Sequence, residues 1–199
     1  MKKIILTLCS SIMFIFGVHA QSNFGAGIKA GLNVAKQTTS GDPSYVDGVY
    51  FSPGFHGGAY ANYFFIEKLA VQLEILYSQK GCIWTDNYWD EDVKEKLAYV
   101  DIPLLLRLQI LEILNVHVGP QFGFLLNAKE IGEDWEEDVK EYYNNMETAL
   151  AFGAEVNLPF RLNITLRYIL GLSSATEGYD DDWKNNVIQL SAGFRLVGK

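Results

Sequence analysis

The sequence is poor in cysteine, histidine and positive charge. It has two cysteines in 199 residues. Cys9 lies in an N-terminal apolar leader, so removal of that leader leaves Cys82 alone and no internal disulfide to form. Histidine occurs three times. His19 closes the leader, and neither His56 nor His117 sits in a polar connector beside a nucleophile. No Cys/His metal spacing and no phosphate-cradling glycine loop is present, so no catalytic residue, cofactor or metal ion is expected. Lys plus Arg number 16 against 24 Asp plus Glu, a net charge of −8 with a pI near 4.9. That balance excludes a nucleic-acid binder working through a basic surface. No apolar run suits a stable membrane-spanning helix: the one from Ile4 to Val18 is too short and is followed by a cleavage pattern.

That run follows Lys2 and Lys3 and ends at Val18-His19-Ala20. This is the pattern of a secretory signal peptide over residues 1–20, leaving residues 21–199 as one domain. Cys9 lacks a lipoprotein cleavage context. Loss of Lys2 and Lys3 leaves 14 basic against 24 acidic residues, or −10.

What the chain has in abundance is period two. Phe24, Ala26, Ile28, Ala30, Leu32 and Val34 alternate with Gly25, Gly27, Lys29, Gly31 and Asn33. The same alternation recurs seven more times, centred on Phe55–Tyr63, Leu69–Tyr77, Val100–Leu108, Val116–Leu126, Leu150–Val156, Leu162–Leu170 and Ile188–Leu196. Each run has about the 9–11 residues of a membrane-crossing strand. The connectors alternate too. Gln37–Tyr50, Gly81–Glu95, Lys129–Met146 and Ser173–Asn185 are long and polar; Phe65–Lys68, Leu111–Asn115 and Pro159–Arg161 are short. An up-and-down barrel puts all the long loops at one mouth.

Side-chain volume decides which face is inside. The apolar faces carry bulky Leu, Ile, Val, Phe and Tyr throughout, too much for the narrow interior of an eight-stranded barrel. The opposite faces are small, polar and glycine-rich. A secreted lipocalin-like barrel would reverse the two and overpack its core. Pro53, Pro103 and Pro120 predict bulges or strand ends.

The inward face then carries Lys29, Glu74, Asp101, Arg107, Glu155, Arg167 and Arg195, with His56 and His117. Buried charges must pair. Counting from the Pro159–Arg161 turn predicts a Glu155–Arg167 cross-strand pair, with Glu74 and Arg107 in one layer near the short turns. Such a network is expected to plug the lumen, an ion path being the alternative. The four long connectors carry −2, −4, −5 and −3, so acidity concentrates at one mouth. All four tryptophans, Trp84, Trp89, Trp135 and Trp183, lie there as well. They are either interfacial anchors or a rim for a cationic, glycan-bearing or calcium-bridged ligand. Within Glu133–Met146, Trp135, Val139 and Tyr143 recur at helical spacing and predict a short helix.

Several stretches carry a family likeness. They are Gly27-Ile28-Lys29-Ala30-Gly31-Leu32-Asn33, Glu74-Ile75-Leu76-Tyr77-Ser78-Gln79-Lys80-Gly81 and, most specifically, Asp101-Ile102-Pro103-Leu104-Leu105-Leu106-Arg107. Val118-Gly119-Pro120-Gln121-Phe122-Gly123, Arg167-Tyr168 with Leu170-Gly171-Leu172, and Gly193-Phe194-Arg195 add to them. The chain resembles the small outer-membrane β-barrel family of Bacteroidetes, known as porin-family or PorT-like. One departure is the C-terminus, where Phe194 is followed by Arg195-Leu196-Val197-Gly198-Lys199 rather than ending the chain.

The reading is an all-β protein, an eight-stranded antiparallel up-and-down transmembrane barrel of the cell outer membrane, with periplasmic termini and extracellular long loops. Its expected partners are outer-membrane lipid, the outer-membrane assembly machinery and an extracellular ligand or protein, with no nucleic acid. The expected role is structural or surface-interaction, with a small channel as the alternative. The resemblance implies a third, an accessory part of a secretion or uptake machine. The mean hydropathy of +0.04 then averages a lipid-facing band with acidic loops.

Overall fold

Alternation of this length folds into long antiparallel strands. The computed structural model describes residues 23–39, 46–86, 91–176 and 182–198; the leader and Trp89 lie outside them. The strands are β1 (Phe24–Thr39), β2 (Val46–Ile66), β3 (Leu69–Lys80), β4 (Cys82–Asp86), β5 (Glu91–Gln109), β6 (Leu114–Ile131), β7 (Glu136–Asp138), β8 (Met146–Asn157), β9 (Leu162–Gly171) and β10 (Trp183–Gly198). Hydrogen-bonded neighbours run β1-β2-β3-β5-β6-β8-β9-β10 and return to β1. The wall is therefore a closed barrel of eight staves, as the alternation predicts, with β4 and β7 as additions at the long-loop end.

Those two additions have local causes. β4 continues β3 past Gly81, which sits at φ 123 where a Cβ would lie 2.2 Å from the Glu95 carbonyl oxygen. Only glycine takes that backbone without strain. Beyond it β4 is held between β2 and β5. β7 folds back along the end of β6, pairing Glu130 with Glu137. The helix expected within Glu133–Met146 is reduced to a single 3-10 turn, Lys140–Tyr142. Strand pairing by Glu136–Asp138 consumes the first half of that segment, so no second helical turn can form.

The faces divide as side-chain volume requires. Leu32, Leu73, Leu104, Leu106, Leu166 and Leu190 stand exposed on the outside, while Lys29, Glu74, Asp101, Glu155 and Arg167 are buried inside. This inverts the sorting of a water-soluble protein and matches a barrel whose solvent is hydrocarbon. Closure is what permits it, because an open edge in lipid would leave unpaired backbone groups. Among the described residues no helix is long and apolar enough to cross a membrane; the crossing is made by strands.

The prolines bring no register slip. On either side of Pro103, Leu73 faces Leu104 and Leu76 faces Asp101, in one continuous register. Likewise Pro103 faces Gln121 and Leu106 faces Val118 across the stretch that holds Pro120. Pro53 sits within β2 opposite Val34. The expected bulges are instead elsewhere, one of them on β6, where Ala98 faces Asn127 but Tyr99 faces Leu125. Leu125 keeps the inward parity of Gln121 and Gly123, and beyond the shift the even-numbered Ala128 is the buried one.

β2, β5 and β6 have 21, 19 and 18 residues, against the about 9–11 a bilayer needs. The surplus lies at the long-loop end, where outward positions become Lys36, Lys94 and Lys96. The wall therefore stands clear of the apolar band there. The start of β1 and the end of β10 meet at the opposite, short-turn mouth, with Gly25 facing Gly198.

Candidate functional site: a cross-tied lumen and an acidic mouth

Inward residues on a narrow barrel meet across its axis, so charges pair between distant strands. At mid-height Glu74 on β3 accepts from Lys29 on β1 at 2.9 Å and, in a two-pronged contact, from Arg167 on β9 at 2.8 and 2.9 Å. Forked guanidinium–carboxylate pairs are among the strongest polar contacts a protein makes. Arg167 Nε also donates to His117 Nε2 at 3.1 Å. Toward the short turns Arg107 pairs with Glu155, which also accepts from Thr165 at 3.3 Å. Toward the long loops Lys80 lies 2.8 Å from Asp101, pairs with Glu147, and stands 4.5 Å from the centre of the Tyr99 ring. Asn185 donates to the other Glu147 oxygen at 2.7 Å.

Two expected arrangements are corrected. Glu155 faces Thr165 on β9, and Arg167 faces Gly153. The Glu155–Arg167 pair therefore does not form: the register sets the two residues apart, and the long Arg167 side chain reaches across the lumen instead. Glu74 and Arg107 do not share a layer of contacts, since Arg107 faces Ala70, four residues along β3 from Glu74. Asp101 joins the network through Lys80. Arg195 is half-buried at the short-turn mouth, lining a cavity of about 310 Å³ with Arg107, Asn62 and Asn163. It has no ion pair among the described residues. Lys80, Glu147 and Glu95 belong to the interior polar set and were not among the expected charges. Strand alternation does place Lys80 on the polar face of β3, with Glu74 and Ser78.

His56 has a geometry the sequence conceals. Its Nδ1 lies 2.7 Å from Asn33 Oδ1 and its Nε2 2.7 Å from Ser191 Oγ. The three come from β2, β1 and β10, and their spacing is that of an orienting group, a base and a nucleophile. Yet Asn33, His56 and Ser191 are 1%, 1% and 4% exposed. Gly31 presses on the imidazole, where a Cβ would lie 2.8 Å from its Cε1. No carbonyl can approach Ser191 in this packing, and the three residues tie β1, β2 and β10 together.

The long-loop mouth is built differently. Val139 and Tyr143, from the connector after β7, pack with Leu97, Tyr99, Leu125, Ala128 and Ala175 into an apolar cluster under the rim. Asn144 holds the neighbouring connector by donating to the carbonyls of Ser174 at 3.2 Å and Thr176 at 2.9 Å. Beside this cluster lies a cavity of about 300 Å³, lined by Trp84, Trp183, Tyr142, Tyr143, Glu95, Glu130 and Glu137 among others. Glu95 is buried and accepts from the Tyr143 hydroxyl and the Gln37 amide. Burial pushes its carboxyl up to about 8, and the neighbouring Glu130 charge adds to that rise. Glu130 is raised by burial and then by Glu137. Cys82, the free thiol, is buried at the same level; burial pushes it up too, so it is held as an inert thiol.

Of the tryptophans, Trp84 and Trp183 meet at this cavity. Trp135 stands apart from the cavity and is 39% exposed. The rim is thus a two-tryptophan wall in the described residues. Among the described residues no group of three or more His, Cys, Asp or Glu is close enough to hold a metal ion.

A family model for the outer membrane protein beta-barrel domain matches residues 19–177. The fold resembles that of Ail, the attachment invasion locus protein of Yersinia pestis, with a TM-score of 0.50 and 17% identity over 88% of this chain and 100% of that one. Ail in complex with the heparin analogue sucrose octasulfate gives 0.50 and 16%, over 87% and 99%. Neisserial surface protein A gives 0.55 and 11%, over 85% and 96%. At such identities the likeness is one of fold. No curated protein matches the chain.

Proposed function

We propose, from the premise that this chain belongs to the family of outer membrane protein beta-barrel domains and resides in the cell outer membrane, that it is a non-conducting barrel whose long-loop mouth makes contacts outside the cell. The fold itself implies no reaction. The observation that carries the reading is the run of cross-lumen ties. Lys29–Glu74–Arg167, Arg107–Glu155 and Lys80–Glu147 join staves that are not neighbours, at successive heights, and Lys80 also pairs with Asp101 on the adjacent stave. A conducting path would have to part these pairs and strand charges in a low-dielectric interior. Ail, of similar fold, is seen with a sulfated heparin analogue. The acidic loops here disfavour a polyanion and favour a cationic partner.

Planar-bilayer recordings test the plug: the expected trace lacks stable conductance, and a large steady current would establish the channel alternative. Labelling of a Trp135→Cys variant on intact cells with a membrane-impermeant maleimide tests the outward mouth. The likeness around Asp101–Arg107 to PorT-like barrels of Bacteroidetes supports a second role, as an accessory of a secretion or uptake machine. Crosslinking in intact cells followed by co-purification of stoichiometric membrane partners tests it.

A further inference from the structure

The long-loop mouth carries three carboxylates in one rung. Glu95 on β5 faces Glu130 on β6, and Glu130 faces Glu137 on β7. Like charges directly opposite on paired strands repel. Nothing beside them offsets this. Glu95 is 3% exposed, yet its hydrogen bonds come from neutral groups, Tyr143 and Gln37. Nearby cations are engaged elsewhere: Lys80 with Asp101 and Glu147, Lys129 with Glu136, and Lys140 with the Leu126 carbonyl at 3.0 Å. Lys36 points outward over the Phe51 ring.

The row borders the cavity of about 300 Å³, whose remaining walls include Trp84, Trp183, Tyr142 and Val139. Neighbouring strands set the Cβ atoms of successive residues in such a row about 5 Å apart, and among the described residues no group of three or more His, Cys, Asp or Glu could hold a metal ion. Amines separated by three or four methylenes match such a row. Their methylenes would lie on the indole and phenol faces, which also attract ammonium groups.

We propose that this mouth binds a linear aliphatic polyamine, laid along Glu95, Glu130 and Glu137 and walled by Trp84 and Trp183. The proposal rests on the reading of the mouth as a contact site outside the cell, and names the class of ligand that site takes. The groups against Glu95 are Glu130, Tyr143, Gln37 and Cys82, none of them cationic; Glu137 faces Glu130 on the far side. Binding therefore ionises Glu95, releases its proton to solvent, and tightens as pH rises toward 8.

The test is spermidine titration of the full chain in lipid nanodiscs, read by calorimetry and tryptophan fluorescence at constant ionic strength. The expected result is saturable one-to-one binding, at least tenfold tighter than Mg²⁺, with more proton release at pH 6.5 than at 8.5. Glu95→Gln and Glu130→Gln should each weaken it at least tenfold while keeping the folded-barrel gel mobility. The half-buried Glu130 serves where the Glu95 variant fails to fold. Binding no tighter than Mg²⁺, or equal binding by the Glu130 variant, overturns the proposal. The Trp135→Cys labelling separates the two readings. Labelled cells with no spermidine binding defeat the polyamine alone. Binding without labelling from outside defeats the outward orientation and leaves the site standing.

Discussion

Glu74 and Glu95 are both carboxylates sealed in the barrel, 1% and 3% exposed, and they sit in opposite electrostatic settings. Glu74 is shared by Lys29 and Arg167. Glu95 faces another carboxylate and takes hydrogen bonds only from neutral groups. The first setting is complete within the chain and holds staves together. The second is left one cation short, and it lies where the wall has risen clear of lipid. Compensated charge here serves the fold; a carboxyl that keeps its proton for want of a cation marks the place where something else can bind.

The sharpest way to break this contrast is Glu74→Ala. It leaves Lys29 and Arg167 buried without their carboxylate, and loss of one partner of a buried pair costs about 3–5 kcal/mol. A large fall in the urea midpoint in lipid vesicles is expected; an unchanged midpoint would show the tie to be idle. Lys80→Met comes next. It strands Asp101 and Glu147 together, though Asn185 still serves Glu147, so a loss of about 3 kcal/mol is expected in the same assay.

Glu95→Gln should act in the other direction. The folded state holds the Glu95 proton up to about 8, whereas an unfolded carboxylate releases it in the ordinary acid range. Over that interval the unfolded state binds fewer protons, so stability falls as pH rises. Unfolding midpoints at pH 5 and pH 8 should show this decline in the wild type and a smaller one in Glu95→Gln. A decline of equal size in both would place the proton elsewhere. The smallest effect belongs to Lys129→Met. Its pair with Glu136 is open to water, and exposed pairs contribute little; no shift in midpoint is expected.

Much of this architecture was legible in the residues. Alternation located all eight staves, and the bulk of the Leu- and Ile-rich faces told outside from inside. Even the charges of the lumen could be drawn up, Lys29 through Arg195. Their partners could not. A sequence pattern reports neighbours along and between consecutive strands, whereas Arg167 meets Glu74 across the lumen, from β9 to β3. The Glu155–Arg167 expectation failed on register as well, since Glu155 faces Thr165 on the next stave. Glu147 and Glu95 were missed because they fall in or beside long polar connectors, in stretches that turn out to be strand. β5 begins at Glu91 and β8 at Met146, so residues that read as loop are wall. The Ser191–His56–Asn33 contact was hidden by the same geometry, three staves meeting in space but scattered in the chain.

The Lys29–Glu74–Arg167 tie also bears on how the barrel comes to be. β1 and β10 are the first and last staves to be made, and they join along a ladder running from Gly25 and Gly198 to Thr39 and Trp183. Glu74 reaches Lys29 on β1 and Arg167 on β9, which stand on either side of β10. Both arms of the tie can be satisfied only after the ends of the sheet have met. Contacts of such long sequence separation form late and slowly. Once formed, they oppose reopening of the seam, so the finished barrel should unzip far more slowly than its midpoint implies, with a marked hysteresis between folding and unfolding in lipid.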